Sequence, residues 1–351
     1  KSYVRYLLEY IDPDTGILTE GNLGDWLGPE QGRNDNSLLW EAYFIYDLEL
    51  MRRIATALNE AEDAEWFQKL HGERKQFFNQ TYLDNLTGQT IHSGFRDPHR
   101  KGEVIGTQTS YVLPLAFGIC NEEIKERVAV QLMTCIENES HQGGEVYPPY
   151  SLMTGFIGTA WINRVLSNLG DSEAAYRILQ QTSYPSWLFS VDQGATTIWE
   201  RLNSYTPEHG FSGNNSMNSF NHYSFGAIGS WMYNYSLGIE RDEEHPGFKH
   251  FILQPQPDPT GQMTWAKGHY DSMYGRIESS WKISGGSCDY RFSVPANTSA
   301  TLHLQASGKD KIREGNTPLG SSAFIEILNE KDGKVIMKLQ PGEYHFKVSI
   351  N

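Results

Sequence analysis

A chain of 351 residues is too long for one typical domain, so two domains, or one large toroid with a smaller unit, are expected. Its residues are 38% hydrophobic, 21% charged and 13% aromatic, the composition of a folded protein, and 43 acidic against 29 basic side chains leave a formal charge of −14. That balance argues against nucleic acid or an anionic membrane surface as partner, and no run of ~20 apolar residues is there to span a bilayer.

The opening "KSYVRYLLEYI" places Tyr3, Tyr6, Leu7 and Tyr10 at helical spacing with no cap or initiating Met before them. It reads as the inside of a helix, and an upstream extension is expected; no signal peptide is visible. Asn36 or Asp35 can cap the next helix, whose apolar face is predicted as Leu39, Tyr43, Tyr46, Leu50, Ile54 and Leu58. A helix over 62–82 follows, striped by Trp66, Phe67, Leu70, Phe77 and Phe78. "TQTSYVLPLAFGIC" and "NEEIKERVAVQLMTCIEN" predict a helical pair, the second member capped by Asn121. "TGFIGTAWINRVLSNLG" and "DSEAAYRILQQT" predict another, divided by Gly170 with Asp171 as cap, and "SFNHYSFGAIGSWMYNYSLGI" reads as a long apolar helix. Antiparallel helical pairs joined by uneven loops mark an α/α bundle or toroid. The long Gly/Pro/polar segments 12–36, 84–106, 140–154 and 203–217 are where function is expected.

After "RDEEHPGFKH" alternation takes over in "CDYRFSVP", "TLHLQ" and "YHFKVSI", and Asp332-Gly333 inside "FIEILNEKDGKVIMKL" is a two-residue hairpin signal. The predicted division is therefore a mainly helical domain over 1–245 and an antiparallel β-sandwich over 246–351. Cys120, Cys135 and Cys288 show no CxxC spacing, and their odd number predicts free thiols.

Glu200 closes the run "GATTIWE" beside Trp199, and Asp25 sits beside Trp26 in "GNLGDWLGPE". A carboxylate against an indole is a setting for catalysis, although Glu200 can equally pair with Arg201 or start a helix, and Asp25 can be an ordinary turn residue. His222, flanked by Asn221 and Tyr223, can likewise be structural. Together, two carboxylate–Trp pairs and an Asn/His cluster in an aromatic-rich chain suit a sugar site, where rings stack on apolar sugar faces and polar groups hold hydroxyls. No phosphate loop, dinucleotide fingerprint or HExxH is present, and "GFSGN" (210–214) lacks the last glycine of a serine nucleophile elbow. His141, His209 and His222 are not at metal-ligand spacing, so no cofactor is implied, though acidic loops can hold Ca²⁺ without announcing it.

"GDWL", "TQTSYVLPLAFGI", "TGFIGTAWINRVLSNLG", "GATTIWERLNS", "SMNSFNHYSFGAIGSWMYNYSLGI" and "PGFKHFILQPQP", in this order, resemble bacterial α-L-rhamnosidases of glycoside hydrolase family 78 over nearly the whole chain. The resemblance implies an (α/α)6 toroid, incomplete at its N-terminal side, followed by a C-terminal antiparallel β-sandwich. It implies inverting hydrolysis of terminal α-L-rhamnosides, with rhamnose-containing oligosaccharides, polysaccharides or glycosides as partners; a homo-oligomer is compatible with it. The compartment stays open between cytoplasm, periplasm and exterior. Glu200 matches the family's general base, and His222 and Asn221, with Asp25, Trp26 and Trp199, match positions around the sugar. The family's acid stretch, D-x-x-x-x-E-R-x-G-W-x-G-D, is not found in these residues, so the expectation is a C-terminal portion that carries the base without the acid. The alternatives are a non-catalytic rhamnose-binding protein, or another inverting glycosidase or lyase on the same toroid.

Overall fold

The computed structural model describes residues 1–21, 23–211, 217–320 and 322–349. By contact the chain divides into two units, Lys1–Ala227 and Ile228–Asn351.

In the first unit helix α1 (Ser2–Glu9) precedes three antiparallel pairs: α2 (Asn36–Ala57) with α3 (Ala61–Thr81), α4 (Gln108–Ala116) with α5 (Glu122–Glu137), and α7 (Ile162–Asn168) with α8 (Ser172–Gln180). A small hairpin, β1 (Ser140–Gln142) and β2 (Glu145–Tyr147), and the single-turn α6 (Phe156–Thr159) lie between the second and third pairs, and α9 (Trp187–Asp192) follows the third. Capping follows the sequence closely. Asp35 accepts from the Ser37 amide at the start of α2, Asp171 accepts from Ala174 at the start of α8, and Thr107 and Ser110 form a reciprocal capping box on α4. Asn121 stands at the N-cap of α5 without a side-chain cap bond; its own amide donates instead to Asn79 Oδ1 at 3.0 Å.

The face of α2 departs from expectation. The buried apolar residues include Leu38, Leu39, Ala42, Phe44, Ile45 and Leu48, with Glu41 among them; of the predicted face Leu39 is buried, while Leu50, Ile54 and Leu58 are exposed. The first half of α2 is apolar nearly all round, so periodicity alone carried the stripe onto the exposed side in the second half. Glu41 is tolerated inside because Arg74 of α3 meets both its oxygens, at 2.8 and 2.5 Å. A cluster of Val4, Leu7, Leu18, Phe44, Leu48 and Phe67 joins the first three helices.

Two predicted helices are broken. The stretch 154–170 splits into α6 and α7, with Trp161 between them at φ −122° and its indole donating to the Tyr43 hydroxyl at 3.0 Å. The predicted helix over 219–239 is instead a 3-10 turn (Ser224–Ala227), one helical turn α10 (Ile228–Trp231) and a π turn (Met232–Ser236). Gly226 and Gly229 weaken the helical run, and residues 219–222 spend their backbone groups on residues 198–200.

The second unit is two facing sheets around one core. Its strands are β3 (Ile239–Arg241), β4 (His250–Leu253), β5 (Trp265–Ser272), β6 (Gly275–Ser284), β7 (Ser287–Val294), β8 (Ser299–Gln305), β9 (Ile312–Glu314), β10 (Thr317–Pro318), β11 (Ile325–Lys331), β12 (Lys334–Leu339) and β13 (Gly342–Ser349). The sheet orders are β10-β9-β13-β7-β6-β5 and β11-β12-β8-β4-β3. Alternating residues such as Phe251, Leu302, Met337, Trp281, Phe292 and Phe346 fill the space between them. Asp332 and Gly333, at φ 53° and 71°, make the hairpin turn that their sequence signalled. One pair, β4 with β8, is parallel, so the sandwich is not antiparallel throughout.

Candidate functional site

In the first unit the segments entering α2, α4 and α6 are tied into one polar assembly. Asp25 lies at its centre. One carboxylate oxygen accepts from the Gly155 amide at 2.7 Å and from the Thr109 hydroxyl; the other accepts from the amides of Ile157 and Gly158 at 2.8 and 3.1 Å. Burial raises the Asp25 pKa above its ordinary 3.8, and the four donors pull against that rise. Asp25, which the resemblance puts at a position around the sugar, is 3% exposed and fully occupied, because the start of α6 needs an acceptor there. Gly28 and Gly155 allow this packing: a Cβ on Gly28 would stand 2.4 Å from the Gly155 nitrogen, and one on Gly155 would stand 2.4 Å from the Trp26 carbonyl oxygen. Trp26 itself is 43% exposed, and its carbonyl accepts from the Phe156 amide at 3.0 Å.

Around it, Glu30 Oε2 accepts from the Gln108 amide at 3.0 Å, and the Gln108 side chain spans to the Ser151 carbonyl and the Met153 amide, each at 3.0 Å. Burial raises the Glu30 pKa as well. Asp35 accepts from the amides and hydroxyls of both Ser37 and Ser93.

Glu200 is placed differently. Residues 198–200 run beside residues 219–222: the Glu200 amide donates to the Ser219 carbonyl at 2.8 Å, and the His222 amide donates to the Ile198 carbonyl at 2.9 Å. The Ser219 amide returns a 2.8 Å bond to Glu200 Oε2. Oε1 accepts no hydrogen bond among the described residues. Neither of the ordinary roles for Glu200 is taken up. It starts no helix, and Arg201 turns away to the Met217 carbonyl at 3.3 Å. Trp199 is buried and meets Phe220 edge-on at 5.2 Å, so its indole backs the Glu200 segment instead of facing outward.

His222 stands on the segment that runs beside Glu200. Its ring stacks on Phe156 at 4.9 Å, and Tyr223 lies parallel beside it at 5.7 Å. Nδ1 accepts from the Ser224 amide at 3.4 Å, which leaves the proton of a neutral ring on Nε2. Asn221 is exposed beside it. Glu200, His222 and Asn221 are thus brought together, and Trp26 is joined to His222 through Phe156. Sequence reasoning missed Phe156, Ser219 and Thr109; the glycines at 155 and 158 were the available signal that this backbone is closely approached. Residues 212–216, which include most of "GFSGN" and the start of "NSMNSFNHY", lie outside the described residues.

No cluster of three His, Cys, Asp or Glu arranged for a metal occurs among the described residues. All three cysteines are free, and burial pushes Cys120 and Cys135 up to about 12 and Cys288 up to about 11, which makes them inert packing groups.

The chain is similar to known proteins along most of its length. Residues 1–236 match the bacterial alpha-L-rhamnosidase 6 hairpin glycosidase domain, and residues 238–318 match the bacterial alpha-L-rhamnosidase C-terminal domain. An α-L-rhamnosidase of Formosa agariphila is 32% identical over 93% of this chain and 33% of its own length. One from an Alteromonas species is 32% identical over 100% of this chain and 35% of its own. The crystal structure of Streptomyces avermitilis α-L-rhamnosidase complexed with L-rhamnose superposes with a TM-score of 0.82 at 28% identity, over 99% of this chain and 30% of that one. The chain therefore spans about a third of the length of the curated relatives it matches. Its helical pairs and its two-sheet unit are those of the six-hairpin glycosidase fold with its sheet-rich companion. The chain belongs to the bacterial α-L-rhamnosidase family.

Proposed function

We propose that this chain carries the water-activating half of an inverting α-L-rhamnosidase site and acts on terminal, non-reducing α-L-rhamnosyl residues of oligosaccharides, polysaccharides or glycosides. The observation that carries the proposal is the state of Glu200: a buried carboxylate with one oxygen fixed by the Ser219 amide and the other unclaimed among the described residues. Fixing Oε2 orients Oε1, which takes a proton from water as the water oxygen bonds to the anomeric carbon and the glycosidic bond breaks on the opposite face. His222, planted on Phe156, donates from Nε2 to a sugar hydroxyl, and Asn221 supplies a second polar contact. The exposed Trp26 indole offers an apolar wall that suits the methyl group of rhamnose. The L-rhamnose held by the Streptomyces relative supports rhamnose as the ligand.

Inversion also needs an acid about 6.5–9.5 Å from the base. The 351 residues contain no D-x-x-x-x-E-R-x-G-W-x-G-D stretch that would supply it. A substrate whose leaving group departs without protonation therefore isolates the base. The 351-residue chain should bind L-rhamnose by calorimetry, release dinitrophenol from dinitrophenyl α-L-rhamnoside with β-L-rhamnose as the first-formed anomer by NMR, and leave methyl α-L-rhamnoside intact. Binding with no turnover of the activated substrate would favour a rhamnose-binding protein; α-L-rhamnose as first product would refute inversion.

A further inference from the structure

The outer face of the six-stranded sheet carries a feature that the Glu200 region does not explain. Trp265, on edge strand β5, is 62% exposed, an unusual place to leave an indole in water. Register puts Lys282 of β6 directly across from it on the same face. One pair further along, Ser280 of β6 lies between Lys267 of β5 and Arg291 of β7, so a short side chain separates two cations. These groups border a groove of about 560 Å³, within the range of small-ligand sites.

 Lys267, Lys282 and Arg291 make no ion pair among the described residues. The one acidic group bordering the groove, Asp289, is held by His345 Nε2 at 3.1 Å.

We propose that this face is a second, non-catalytic saccharide site for a pyranose carrying a carboxylate, with Trp265 as the stacking platform and Lys267, Lys282 and Arg291 as the cationic clamp. An exposed indole on the face of a sheet offers a surface on which the apolar face of a pyranose ring can stack. Three cations on three adjacent strands of a chain with net charge −14 are a local reversal of sign, which selects an anionic ligand over a neutral one. The planar fork of Arg291 is suited to a carboxylate, and Ser280 leaves room for the ligand between it and Lys267. The site is independent of hydrolysis at Glu200.

Calorimetry of the 351-residue chain with an oligogalacturonide and with its fully methyl-esterified counterpart tests the proposal. The acid should bind, and the ester should bind about tenfold more weakly or not at all. Trp265→Ala should lower affinity for the acid about tenfold with an unchanged thermal midpoint, and Trp265→Phe should restore part of it. Lys282→Gln combined with Arg291→Gln should flatten the salt dependence of binding. Glu200→Gln should leave this binding intact, which separates the proposal from the catalytic one. Absence of binding by the acid, equal binding of acid and ester, or full affinity in Trp265→Ala would overturn it.

Discussion

The two carboxylate–tryptophan pairs of this chain look alike in sequence and end in opposite states. In the Asp25–Trp26 loop the acid is buried under four donors and the indole is exposed. In the Trp199–Glu200 segment the indole is buried against Phe220, and one oxygen of the acid accepts no hydrogen bond among the described residues. A neighbouring tryptophan therefore says little about what an acid does. What decides is how many backbone amides converge on it: the start of α6 brings three to Asp25, whereas Ser219 brings one to Glu200. Asp25 holds the backbone on both sides of Phe156, whose ring stacks on His222.

The largest stability effect should come from Asp25→Ala, which strips three amides and a hydroxyl of their acceptor and should cost roughly 3 kcal/mol or more in denaturant unfolding. A cost below about 1 kcal/mol would break the contrast. Gly28→Ala should follow at about 1–3 kcal/mol, since its Cβ meets backbone that cannot swing aside. The pH dependence sharpens the contrast further. Burial raises the folded pKa of Asp25 above 3.8, so its contribution is complete below that pH and is lost as pH climbs through the raised value. Unfolding titrations should show wild type losing stability relative to Asp25→Asn over that rise. The smallest effect has the reverse sign. Glu49, paired with Arg52 and Arg53 at 2.7 and 2.9 Å, is lowered to about 2, so its contribution holds above 4.5 and is lost as pH falls toward 2. Its exposure limits Glu49→Gln to roughly 0.5 kcal/mol, read as a small shift at neutral pH that vanishes in acid.

Much of the fold was legible because its signals are local. Asp35, Asp171 and the Asp332-Gly333 turn act within a few residues of themselves, and the alternation in β7, β8 and β13 follows directly from one buried face. The run 219–239 misled because its apolar content suits a helix, while the bonds that defeat the helix come from residues 198–200, about twenty positions away. The candidate site was legible in the same uneven way. Glu200 and His222 could be picked out, but the inward turn of Asp25 depends on amides some 130 residues later, at Gly155 and Ile157, and no pattern around "GDWL" encodes them.

The most direct test of the central claim is the hydrolysis of dinitrophenyl α-L-rhamnoside by Glu200→Gln, measured beside its unfolding midpoint. If Glu200 activates water, the rate should fall by about 10²–10⁴-fold while the midpoint moves little, because Gln keeps an oxygen for the Ser219 amide. An unchanged rate in a folded variant would show that another group is the base.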